Sequence, residues 1–158
     1  MNKKGNTVKI RNKKAFFHYH IIDTYIAGIQ LMGLDIKLIR LGKASLSEAY
    51  CNFMNNELYI SNMHLAERAG ERLVVFKNKT QRKLLLNRKE LNKLQKRIVE
   101  KGLSIVPLTL FINDNGFVKI EIALVKGKRE YDKRQTIKEN DSKRELGRLK
   151  KQNIGKYK

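Results

Sequence analysis

Apolar and polar residues alternate most regularly between Phe117 and Val125. Val118, Ile120, Ile122 and Leu124 share one face of an extended segment, with Lys119, Glu121 and Ala123 on the other. The stretch before it, Ser104 to Ile112, is also strand-like, and Asn113-Asp114-Asn115-Gly116 supplies turn residues between the two, which predicts a hairpin. A second hairpin is predicted from Ala49–Met54 through Asn55-Asn56 to Leu58–Ser61. A long first strand is expected from Phe16 to about Leu31, bent at Gly28, because a glycine inside a strand often marks a bulge or barrel corner.

Two helices interrupt the strands. Asn87 is a good N-cap, Glu90 completes a capping pair, and Leu91, Leu94 and Ile98 follow at helical spacing before Gly102. A shorter helix is expected from Leu34 to Leu41, stopped by Gly42. These elements predict a mainly β protein, a small closed antiparallel barrel of about six strands with two or three flanking helices. Closure removes the exposed edges that such a sheet would otherwise carry.

Charge changes the picture more than length does. The 158 residues allow one domain with a tail, and 35 Lys and Arg against 15 Asp and Glu leave a formal charge of +20. That field costs stability by self-repulsion and points to an anionic partner, nucleic acid first and an anionic membrane surface second. No strongly amphipathic basic helix with a broad Phe/Leu face supports the membrane reading. Composition divides the chain into a flexible basic arm (1–14), a barrel domain (15–130) and a basic tail (131–158). From Lys126 onward there are 13 Lys and Arg, 5 acids and few apolar groups, too few to offset ordering entropy. The tail is expected to be disordered alone, with helical tendency from Ile137 to Lys151.

No chemistry stands out. Cys51 is the only cysteine and falls on an inward strand position, so neither an intramolecular disulfide nor a Cys-based zinc site is available. His18 and His20 could share a strand face, but no carboxylate cluster completes a metal site with them or with His64. No nucleotide-cradling or hydrolase motif occurs, so no enzyme activity, metal or cofactor is expected. No signal peptide or spanning segment is visible, and a cytoplasmic location is expected.

Cations at structured places do stand out. Lys37, Arg40 and Lys43 recur at spacing three along the short helix. Ten Lys and Arg against two Glu crowd Lys77 to Lys101, including Arg82 and Lys83. Lys128, Arg129, Asp132, Lys133 and Arg134 follow the last strand, with Tyr19 and Tyr131 as aromatic neighbours able to stack on unpaired bases. A solvated charged face is the ordinary explanation of such runs, but here few acids are interleaved to relieve the repulsion. In the tail, Leu146, Leu149 and Ile154 give a helix an apolar side, leaving Lys143, Arg144, Arg148, Lys150 and Lys151 for phosphate.

Five stretches occur in order: Asn12-Lys13-Lys14-Ala15; Gly33 through Ala44; Arg82-Lys83-Leu84-Leu85-Leu86-Asn87; Gly127-Lys128-Arg129; and Asp132-Lys133-Arg134. Together they resemble the SsrA-binding protein (SmpB) family over Asn12 to about Leu149. The resemblance implies a barrel of oligonucleotide-binding type that grips the tRNA-like domain of transfer-messenger RNA (tmRNA), with no catalytic activity of its own. It also implies a tail that becomes helical in the empty decoding site and mRNA channel of a stalled ribosome, and delivery with the elongation factor that carries aminoacyl-tRNA. Asn12, Lys13 and Lys14 join the candidate RNA-binding residues on this ground, and a monomer is expected. Phe17 and Ile26 depart from the family pattern, which has His and Glu there, as do Leu34, Asp35 and Leu38. A general ribosome-associated RNA-binding protein and a small RNA-processing enzyme are the alternatives.

Overall fold

The computed structural model describes residues 8–69, 72–75, 81–99 and 102–154. Its chain forms two units, one through Gly127 and one from Lys128 onward.

The predicted hairpins build most of the first unit. Strands β1 (Lys9–Arg11), β2 (Tyr19–Ile29), β3 (Ala44–Ser45), β4 (Tyr50–Met54), β5 (Glu57–Ser61), β6 (His64–Ala69), β7 (Arg72–Val75), β8 (Gln81–Leu85), β9 (Leu103–Ile112) and β10 (Val118–Gly127) run in chain order. Six of them form a ring in the order β9-β10-β2-β8-β5-β4, closed by the pairing of Cys51 in β4 with Ile105 in β9. Every pairing in the ring is antiparallel. The closed sheet expected from the sequence is present, and β3, β6 and β7 form a separate small sheet beside it. Asn55 and Asn56 both take positive φ, 49° and 60°, the conformation that a two-residue hairpin turn demands.

The inward faces supply the core. Ile120, Ile122 and Leu124 from β10 meet Leu58, Ile60, Leu84 and Leu110, all buried, with Leu38 and Ile39 from helix α2 (Gly33–Arg40) and Leu91 and Leu94 from helix α3 (Arg88–Ile98) packed in the same cluster. A second cluster lies on the outer face of the sheet, where Ala123 and Val125 pack with Val106, Leu108 and Ala15 of helix α1 (Lys13–His18). This explains why Ala123 and Val125 are buried although they alternate with the inward residues of their strand.

The N-terminal expectation is corrected here. Residues 9–14 are strand and helix rather than a loose arm, and the long strand starts at Tyr19 because α1 occupies Lys13–His18. The expectation for residues 1–7 lies outside the described residues. Asn12, only 3% exposed, fixes this arrangement. Its Oδ1 accepts from Ala15 N (3.1 Å), capping α1, while Nδ2 donates to Leu46 O (2.9 Å) and Pro107 O (3.0 Å). The carbonyl of Pro107 belongs to a bulge: Glu121 pairs with Thr109 and Ile122 with Pro107, so Leu108 is the extra residue. A bulge is also where a sheet tolerates a proline. Asn12→Ala removes the cap of α1 and the amide's bonds to Pro107 O and to Leu46 O, which keeps its bond from Ala49 N (3.1 Å), and should cost about 1–3 kcal/mol of unfolding free energy by urea titration. Asn12→Asp should cost more, because a carboxylate would face two carbonyl oxygens.

The irregularity of β2 lies at Ile22, skipped between the partners of Val125 and Leu124, and not at Gly28. Gly28 pairs in register with Lys119 and Leu85. A Cβ there would stand 3.3 Å from Leu85 Cβ, so the glycine permits a close approach of β8.

In the second unit, helix α4 spans Glu130–Ile154, starting seven residues before the expected helical stretch. Arg129 N donates to Asp132 Oδ2 (3.2 Å) and Lys128 Nζ to Thr136 Oγ1 (3.1 Å), tying down its first turns. Every residue from Ile137 to Lys151 is exposed, so no core holds that stretch of the helix.

Candidate nucleic-acid interface

Two predicted contact residues are buried and serve the fold. Asn12 spends its side chain on the three bonds described above. Arg82 is 5% exposed and forms a fork with Asp35, itself 8% exposed, through Nε to Oδ2 (2.9 Å) and Nη2 to Oδ1 (3.2 Å). The bidentate pair joins β8 to α2, and Asp35 Oδ2 also accepts from Met32 N (3.3 Å) at the start of α2. A guanidinium so held is not a surface cation, which removes Arg82 from the phosphate-contacting set. Asp35 stands where the family resemblance gives Glu and keeps the carboxylate that the fork requires.

The other candidates of the first unit occupy two places. Lys13 and Lys14 are exposed on α1, followed by half-buried Tyr19, which packs against the second core cluster. Lys14 is ion-paired with Glu48. The hydrogen bond and charge of Lys14 lower the Glu48 carboxyl below its ordinary range, with smaller contributions from His64 and His18. The pair is therefore intact at neutral pH and weakens only as pH falls through that lowered range. Since both side chains are well exposed, Glu48→Gln should leave the melting temperature at pH 7 nearly unchanged.

The other place is the opposite end of β2, where two clefts adjoin and share Gln30 and Leu31. One, of about 610 Å³, brings Arg40 of α2 together with Lys119 of β10, Phe117 and Leu85. Phe117 is 66% exposed and Leu85 49%, an apolar surface flanked by two cations. The other, of about 720 Å³, is lined by Gln30, Tyr59, Gln81 and Lys83 over the Asp35–Arg82 pair. Lys83 is half-buried, with Glu57 at 3.6 Å. Lys37 is exposed on α2 and Lys43 half-buried just beyond it. The structure thus gathers Arg40 and Lys83 around neighbouring clefts and leaves Lys13, Lys14 and Tyr19 at the far end of a strand spanning roughly 30 Å.

Sequence reasoning missed Lys119, Phe117, Leu85 and Gln30. Lys119 reads as an ordinary solvent-face lysine, and exposure of Phe117 and Leu85 is a tertiary property. Lys77, Lys79 and Lys101 of the basic stretch lie outside the described residues.

In the second unit, Tyr131 is 70% exposed, Arg129 and Arg134 are exposed, and Lys133 lies 3.6 Å from Glu130. Lys128 and Asp132 hold the helix start as described. Helical periodicity sets Arg144, Arg148 and Lys151 opposite Leu146 and Leu149, with Lys143 and Lys150 flanking the apolar pair. The side chain of Ile154 lies outside the described residues.

Among the described residues, no group of three or more His, Cys, Asp or Glu side chains could share a metal ion, and no helix is long and apolar enough to cross a membrane. Burial raises the Cys51 thiol well above its ordinary value, so it is a neutral core residue at pH 7.

A cationic ring of strands with aromatic and apolar groups exposed beside its cations, followed by a basic helix without a core, is the architecture of a polyanion-binding module. Residues 9–152 match the family model described as SmpB protein. An SsrA-binding protein of Christiangramia forsetii is 50% identical over 147 residues, covering 93% of this chain and 94% of its own. Another from Flavobacterium johnsoniae is 51% identical over 145 residues, covering 92% and 96%. A solved structure described as "tmRNA-SmpB: a journey to the center of the bacterial ribosome" contains a chain 32% identical to this one, with a TM-score of 0.64, covering 82% of this chain and 94% of that one. The chain belongs to the SmpB protein family.

Proposed function

We propose that the protein binds the tRNA-like domain of tmRNA through its ring of strands and delivers it to stalled ribosomes for peptide tagging, its tail occupying the empty decoding site and mRNA channel. The observation that carries this reading is the cleft in which Arg40 and Lys119 flank exposed Phe117 and Leu85, in a chain of this family. Folded RNA loops offer phosphates at fixed geometry and unstacked bases, and they are recognised by shape, phosphate contacts and stacking. Cations beside an apolar platform suit both. The protein acts in the cytoplasm as a monomer and catalyses no reaction of its own, so labelled RNA incubated with it and Mg²⁺ stays intact. The delivered complex also carries the elongation factor that brings aminoacyl-tRNA.

A competition assay tests the specificity. The tRNA-like domain of tmRNA should outcompete bulk tRNA for the protein; equal competition would favour a general RNA-binding role. Replacing Arg40 and Lys119 with alanine together should weaken binding and flatten its salt dependence, each lost phosphate contact reducing the log–log slope by about 0.7–0.9. An unchanged slope would place the RNA elsewhere on the protein.

A further inference from the structure

We propose that the cleft over the Asp35–Arg82 pair receives a single unstacked nucleobase of the bound RNA. The inference rests on the RNA-binding reading and assigns this cleft a separate role from the neighbouring one, whose cations meet backbone phosphate.

The floor of the cleft is charge-neutral, because the guanidinium of Arg82 and the carboxylate of Asp35 satisfy each other in a fork. A phosphate gains little there, whereas a neutral, planar, hydrogen-bonding group does. Arg82 lines the cleft with Nε and Nη2 engaged by Asp35, so the N–H donors of Nη1 lie beyond the fork and can meet an incoming acceptor. Gln30 and Gln81 are exposed at the walls. Each amide presents a donor and an acceptor side by side, the pattern carried by the edge of a base. Tyr59, half-buried, contributes an aromatic group of the kind on which bases stack. A volume of about 720 Å³ lies within the range of ligand-holding clefts. Lys83 stands among the lining residues, with Glu57 at 3.6 Å.

The experiment measures binding of the full-length protein to the tRNA-like domain of tmRNA, intact and with single abasic sites placed through its loops. Tyr59→Leu and Gln30→Ala should each weaken binding of the intact RNA by about tenfold without changing the salt slope. One abasic position should weaken wild-type binding by a similar factor, and Tyr59→Leu should lose nothing further on that RNA. Gln30→Ala alters an exposed side chain, so its melting temperature should match wild type and keep the test clear of misfolding. Variants that bind intact RNA within twofold of wild type, or losses that add with every abasic site, would overturn the base pocket while leaving RNA binding in place. Wild-type protein that fails to bind the intact RNA would overturn the functional reading itself.

Discussion

Alanine in place of Arg82 or of Asp35 should each lower the unfolding free energy by about 3–5 kcal/mol. Both groups are almost wholly removed from water, and each is the principal charge partner of the other. Deleting one leaves an uncompensated buried charge, which costs far more than the pair's net contribution. Arg82→Lys should not rescue, because an ammonium cannot reproduce the fork through Nε and Nη2. A double change to apolar residues, Arg82→Met with Asp35→Leu, should recover most of the loss, since it removes both charges together. Urea denaturation of the four variants provides the check. If Arg82→Ala kept wild-type stability, the structural role of the Asp35–Arg82 pair would be wrong.

Truncation after Arg134 should abolish peptide tagging on stalled ribosomes while leaving affinity for tmRNA within a few-fold of wild type. The core clusters lie wholly within the first unit, and no residue from Ile137 to Lys151 is buried. Removing that stretch therefore takes nothing from the core, but it takes away the segment proposed to occupy the decoding site. A helix without tertiary packing is marginal in water, and Gly147 in its interior weakens it by roughly 1 kcal/mol relative to alanine. A peptide of residues 130–154 should accordingly show little helical circular dichroism alone. Tagging and affinity measured side by side decide the matter. Tagging that survives truncation, or affinity that disappears with it, would contradict the division of labour between ring and tail.

The hairpins were legible because their signals are local: alternation over Val118–Leu124 and turn asparagines at positions of positive φ. The helices α2 and α3 were legible for the same reason, through spacing, caps and glycine stops. Strand β8 was not, although it completes the ring. Its inward positions are Arg82 and Leu84, and a cation facing inward erases the two-residue period unless its partner 47 positions away is known. Strand β1 is only three residues long, and its pairing with β9 cannot be read from so short a segment. The same limit governs the interface. Lysine and arginine counts pointed to a polyanion surface. Which cations reach solvent, and which exposed apolar groups stand beside them, depends on pairings made far along the chain.

One such pairing has a consequence for the nascent protein. The amide of Asn12 donates to a carbonyl that lies 95 residues downstream, and the sheet closes only when Ile105 reaches Cys51. At about 5–20 residues per second the start of the chain waits roughly 5–20 s during translation for the strand that holds it. High contact order slows closure further, into the millisecond-to-second range after synthesis of the last strand. Until then the backbone edge of β2 has no β10 to pair with and is open to wrong partners. A chain cut short before β9 therefore has no ring to form. Helix α4 follows all of these elements in the chain and relies on none of these distant pairings.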